Sequence, residues 1–251
     1  MRPPVRKLFL VLAVAAAVSA SAPAALAERY APAALKVLAQ ARAATGGAGW
    51  NRLRGWHETG RDGGLRYEAW LDPIRYGMRV ETHEPEGLHV HGYNGGGEWH
   101  VYPNGQVTGV DERGVASDAR TEAFFRVHAY FYTGRFDAKA DYAGVRRAPG
   151  GAFDVVRIQP VGGKPRELWF DRKTHRLARM VDRTGPRPVI ETYSDYRKIG
   201  PVRVAFRTRI DDGDPTHARE RVIEALVFTP TDRAIFSLPR PGAPPPARVA
   251  Q

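Results

Sequence analysis

Residues Arg166-Glu167-Leu168-Trp169-Phe170-Asp171 and Arg176-Leu177-Ala178-Arg179 read as two strands joined by a tight turn that carries Asp171 and Lys173. The first arm is apolar on both faces, with Leu168 and Phe170 on one side and Trp169 on the other. Such a strand has to be covered on both faces. The sheet that holds it therefore has something packed, or something bound, on each side.

The rest of the chain supplies many more strands. Arg66–Leu71, Arg75–Glu81, Leu88–Tyr93, Glu98–Tyr102 and Gln106–Val110 are short strand-like runs separated by Gly, Pro and Asn turns. A second series follows at Tyr142–Arg147, Phe153–Gln159, Pro165–Phe170, Arg176–Asp182, Pro188–Tyr196, Val204–Ile210 and Arg221–Phe228. Within Val204–Ile210 the alternation places Val204, Phe206 and Ile210 on one face and Arg207 and Arg209 on the other.

Two helices are expected. Pro32–Thr45 opens with a proline suited to a first turn and stops at Gly46-Gly47. Asp118–Thr133 is capped by Ser117 or Asp118 and ended by Gly134. Phe124, Phe125, Val127, Tyr130, Phe131 and Tyr132 cover most of its circumference, so it must be largely buried. The fold class is mainly β (α+β): a curled antiparallel sheet of about ten or more strands, a half-open barrel, with an N-terminal helix and a central plug helix.

The N-terminus reads as an export signal. Arg2, Arg6 and Lys7 precede the apolar run Leu8–Val18, and Ala25-Leu26-Ala27 forms a cleavage pattern. This divides the chain into a signal peptide (1–27), one large domain (28–238) and a Pro/Ala-rich tail (239–251) expected to be disordered. There is no cysteine, which removes disulfides, thiolate metal sites and lipid acylation of the chain itself. The net charge is +11, and its arginines are spread along the chain, which suits ordinary solubility as well as acidic surfaces. No nucleic-acid recognition motif is present, and nucleic acid is not an expected partner.

Searches for chemistry yield little. His83, His89, His91 and His100 fall on neighbouring strands, but no zinc-protease motif accompanies them, and no metal or cofactor is assigned. Asp211-Asp212-Gly213-Asp214-Pro215 lacks the distal Glu of a calcium loop and reads as a polar turn, as does Gly95-Gly96-Gly97. No nucleophile elbow or P-loop occurs.

Four stretches carry a resemblance. They are Ala43-Ala44-Thr45-Gly46-Gly47 with Trp50, the run His91-Gly92-Tyr93-Asn94-Gly95-Gly96-Gly97-Glu98-Trp99, the series from Phe153 through Leu168-Trp169-Phe170-Asp171 to Arg179, and Tyr193-Ser194-Asp195-Tyr196 followed by Val204-Ala205-Phe206. In this order and spacing the chain resembles the LolA/LolB-like periplasmic lipoprotein-carrier fold. Within it, the chain is most similar to the LolA-like domain that precedes the catalytic unit of exported retropepsin-like aspartyl proteases. Neither Asp-Thr-Gly nor Asp-Ser-Gly occurs here, so the protease unit is not expected. Arg66, Arg75 and Arg79 all stand where the family's lid-latching arginine could fall, and none is carried over.

The resemblance implies a non-enzymatic periplasmic binding protein for a lipid or the acyl chains of a lipoprotein, with a role in outer-membrane lipoprotein sorting. An envelope membrane is a further candidate partner. The alternative is a non-catalytic partner-docking module of an envelope peptidase system. Trp70, Tyr76, Phe124, Phe125, Phe131 and Trp169 are the candidates to line an apolar cavity.

Overall fold

The computed structural model describes residues 29–110 and 116–238. The signal reading and the Pro/Ala-rich tail lie outside the described residues. Thirteen strands form one antiparallel sheet: β1 (Trp56–Asp62), β2 (Leu65–Leu71), β3 (Met78–Glu84), β4 (Gly87–Tyr93), β5 (Glu98–Val101), β6 (Val107–Val110), β7 (Ala138–Ala148), β8 (Gly151–Pro160), β9 (Arg166–Asp171), β10 (Leu177–Asp182), β11 (Val189–Ile199), β12 (Val202–Asp211) and β13 (Arg219–Val227). Helix α1 spans Pro32–Ala44 and α2 spans Ala116–Arg126.

The strand order is β6-β5-β4-β3-β2-β1-β13-β12-β11-β10-β9-β8-β7. Two meanders are thus sewn together in the middle by β1 and β13, and β6 and β7 are the two edge strands, β7 carrying a parallel bridge from Tyr30 at Ala140. The chain between β6 and β7 must travel from one edge of the sheet to the other. That path carries α2 and the residues after it across the sheet's inner face. The sheet curls beneath it. Glu98 on β5 and Asp182 on β10 line one cavity although eight strand positions separate them, roughly 40 Å in a flat sheet.

Helix α1 turns Ala34, Val37, Leu38 and Ala41 into the core. Thr45, the cap just past its C-terminus, accepts a hydrogen bond from Trp50 Nε1 (3.1 Å), and the Trp50 carbonyl accepts one from the Tyr132 hydroxyl (2.8 Å). Those bonds tie α1 to the segment after α2.

The central helix is shorter than the sequence implies. It ends at Arg126, eleven residues long, and His128 adopts a left-handed φ of 53° before a 3-10 turn at Ala129–Phe131. Gly134 is not its stop, and Ser117 and Asp118 lie inside its first turn. Burial without helix explains the difference: Val127, Ala129, Tyr130, Phe131 and Tyr132 are all buried, but as a compact turn. Strand β1, which the sequence pattern does not predict, lies near the centre of the sheet. The predicted strand at Arg75 begins at Met78, because Asp72 Oδ1 accepts from the Ile74 and Arg75 amides (2.7 and 3.1 Å) and holds a turn there.

The two-faced strand β9 is covered as its composition demands. Leu168 and Phe170 are buried in the core, where the Phe170 ring meets Tyr130 edge-on at 6.4 Å. On the convex face Trp169 stands opposite Val155 and beside Phe153 (5.8 Å between rings), with the Arg179 guanidinium over both rings at 5.9 and 5.2 Å. The second cover is this small patch of the sheet's own side chains, capped by a cation.

Candidate functional site

A cavity of about 520 Å³ lies between α2 and the concave face of the sheet, within the usual range for small-molecule sites. One part of its wall is apolar: Trp56, Leu71, Phe125, Leu177, Met180, Val204 and Ile223. The other part is charged, with Glu58, Glu122, Arg126, Arg166, Glu191 and Arg221. The first set comes from inward positions on β1, β2, β10, β12 and β13 and from Phe125 on α2. The second comes from polar residues that take inward positions on β1, β9, β11, β13 and α2.

Helix α2 is fastened across this cavity by a buried ion pair. Arg126 Nη2 lies 2.7 Å from Glu58 Oε1, with side chains 12% and 4% exposed. Glu58 also accepts from Trp56 Nε1 (2.7 Å) and the Tyr67 hydroxyl (3.1 Å), so every burden of its burial is met. Burial works against the Arg126 charge, but Glu58 outweighs it and holds the guanidinium protonated beyond its ordinary range. One turn earlier, burial alone would raise the Glu122 carboxyl. His91 (3.4 Å) and Arg126 (3.4 Å) overcome that and hold it well below the usual carboxylate range. Burial pushes His128, just past the helix, down to about 4.

The latch therefore runs from an arginine on the helix to a glutamate on the sheet. The three arginines considered from the sequence do other things. Arg79 is buried on the opposite side, paired with Glu81 (2.7 Å) and 5.5 Å from the Trp99 ring, where it donates to the Ile235 carbonyl (3.4 Å). Arg66 is exposed and Arg75 belongs to the turn before β3.

The six predicted lining residues separate. Phe125 lines the cavity. Phe124 and Phe131 are buried in the core behind it, Phe131 against Trp50 at 5.1 Å. Tyr76, at a left-handed φ of 75°, packs on Tyr93, Phe124 and Phe136 and borders a shallower cleft. Trp70 and Trp169 do not reach the cavity, because each sits on the convex face of its strand. Trp70 stacks on His57 there, with ring centroids 5.0 Å apart.

Three of the four histidines considered together do share the concave face. His89, His91 and His100 stack with Tyr102 across β4 and β5 at 5.3–6.4 Å between rings. Their outer nitrogens are taken by Glu84 on His89 (3.1 Å) and Glu98 on His100 (2.9 Å). His83 points away, exposed. Among the described residues no three His, Asp or Glu side chains are grouped to hold a metal ion.

The sequence matches no protein-family model and no curated protein. Solved structures do match. A domain from Vibrio parahaemolyticus assigned to outer membrane lipoprotein sorting superposes with a TM-score of 0.51 at 13% identity, covering 80% of this chain and 95% of that one. A LolA superfamily protein from Nitrosomonas europaea gives 0.51 at 12%, covering 81% and 96%. A DUF1329 family protein from Desulfovibrio piger gives 0.51 at 14%, covering 81% and 96%. The chain has a LolA-like fold: an open, curled antiparallel sheet with helices on its inner face. At these identities the likeness concerns the fold alone.

Proposed function

We propose that this chain is an exported periplasmic carrier that binds a lipid, or the acyl chains of a lipoprotein, between α2 and the concave sheet. Lipoprotein sorting to the outer membrane is the process this reading assigns it to. The observation that supports it most is the cavity itself, roofed by a latched helix and walled on one side by Trp56, Leu71, Phe125, Met180 and Ile223. Each methylene removed from water there contributes about 0.8 kcal/mol, so ten of them supply roughly 8 kcal/mol, a micromolar dissociation constant. No specific polar contact is needed for that. Among the described residues no helix is long and apolar enough to cross a membrane. The export reading of residues 1–27 supports a periplasmic location.

The test is uptake of a fluorescent fatty acid by purified protein. Val204→Phe, which fills the cavity wall, should weaken uptake at least tenfold, while Trp169→Leu on the convex face should leave it unchanged. Failure of the unaltered protein to take up the probe, or equal effects of the two substitutions, would count against the carrier reading.

A further inference from the structure

The charged part of the cavity is not fully used by the protein. Arg221 on β13 donates through Nε to Asp62 Oδ2 (2.9 Å), and Arg219 takes the other oxygen of the same carboxylate (2.8 Å). Two guanidiniums thus share one carboxylate, and the Nη nitrogens of Arg221 have no hydrogen-bond acceptor among the described residues. Thr208, opposite Arg221 on β12 and only 8% exposed, has a hydroxyl without a partner among the described residues. Glu191 on β11 accepts the Tyr193 hydroxyl (2.8 Å) and makes no direct ion pair among the described residues, and the nearest cations that act on it, Arg221 and Arg166, do so from beyond ion-pair distance. All three side chains line the same cavity.

The register sets their spacing. Thr208 pairs with Arg221 on one side and with Tyr193 on the other, and Glu191 is two residues before Tyr193. Arg221 and Glu191 therefore stand two strands apart, about 10 Å across the sheet, with a hydroxyl between them. A guanidinium with free Nη donors beside a hydroxyl matches an anionic oxygen acid. Glu191 and Glu122 on the same wall repel a ligand that is only anionic and favour one that also carries a cation or hydrogen-bond donors.

We infer that this wall is a head-group subsite for a zwitterionic amphiphile of the phosphoethanolamine type. The phosphate is held by Arg221 and Thr208, and the ammonium by Glu191. The inference rests on the carrier reading for the tails, which occupy the apolar wall. It gives Arg221, Thr208 and Glu191 a shared polar ligand, which an acyl chain alone would not supply.

Three soluble probes test it, each titrated against the protein while displacing a fluorescent fatty acid: dihexanoyl phosphatidylethanolamine, dihexanoylglycerol with the same tails and no charged head, and glycerophosphoethanolamine with the head alone. The zwitterionic lipid should bind at least tenfold more tightly than the neutral one. Arg221→Met should reduce that advantage below threefold, and Thr208→Val, which keeps the shape of the wall, should reduce it partially. Equal binding of charged and neutral lipids, or an advantage untouched by both substitutions, overturns the head-group subsite and leaves the carrier reading standing. Tight binding of glycerophosphoethanolamine alone, equal to that of the lipid, overturns the carrier reading and leaves the subsite. Binding of none of the three overturns both.

Discussion

Replacing Arg126 by methionine tests whether α2 is latched to the sheet. The substitution keeps most of the aliphatic stem and removes the guanidinium that sits 2.7 Å from Glu58. Glu58 is then left as a buried carboxylate, 4% exposed, with Trp56 and Tyr67 as its remaining donors. Removing one partner of a buried pair costs about 3–5 kcal/mol. The two surviving hydrogen bonds place this site at the low end, about 3 kcal/mol. Replacing both members, Glu58→Gln with Arg126→Met, leaves no uncompensated charge and should cost only about 1 kcal/mol. The coupling between the two positions is then at least about 2 kcal/mol, and larger by whatever Glu58→Gln alone costs, measurable by urea denaturation of the four variants. Amide exchange in α2 should rise in the single variant more than in β7–β9. A single-variant loss under 1 kcal/mol, or losses that simply add in the double variant, would refute the latch.

Three further outcomes follow from the same geometry. His128 is held at about 4 by burial, below its ordinary 6.5. The unfolded chain therefore binds a proton that the native chain refuses between those values, and stability should fall by at most about 3 kcal/mol as pH drops from 6.5 to 4. His128→Asn, which tolerates the left-handed backbone there, should flatten that slope in pH-dependent melts; an unchanged slope would contradict the assignment. A Cβ at Gly92 would lie 2.2 Å from the Trp99 ring, which is held in place by its bond to the Phe236 carbonyl (2.8 Å). Gly92→Ala should thus cost about 1–3 kcal/mol, seen as a lowered Tm, and an unaltered Tm would show that the ring moves freely. Phe236→Ala removes the side chain packed over Gly77 and should cost about 3 kcal/mol without affecting fatty-acid uptake, because it lies on the convex face.

The curled sheet and the crossing segment were legible because apolar runs bounded by turn residues are a local signal, present at every strand except β1. Strand β1 was not. Its inward positions are Trp56, Glu58, Gly60 and Asp62, and three of these are not apolar, so the pattern that marks a strand is absent where the strand is most central. Their burial is made tolerable by partners far off in sequence: Arg126 for Glu58, and Arg219 and Arg221 for Asp62. No single-chain periodicity reports such pairs. The same reason hides the charged wall of the cavity, which is assembled from β1, β9, β11, β13 and α2.

Other parts of the site do carry a signal in the sequence. Trp70 shares its parity with Arg66 and Glu68, and Trp169 shares its own with Glu167 and Asp171. Charged neighbours two residues away mark the solvent face of a strand, so both tryptophans belonged on the convex side. The premature end of α2 carries no comparable signal. His128 takes a left-handed conformation with neither a glycine nor a proline to signal it, and the turn that follows buries Tyr130 and Phe131.

The most direct measurement of the central claim is native mass spectrometry of the protein purified from its own cell envelope without detergent exchange. The account predicts a bound mass in the range of a lipid or an acylated peptide, retained by Trp169→Leu and lost by Val204→Phe. A protein that emerges free of any such mass, and that also fails to take up a fluorescent fatty acid afterwards, would contradict it.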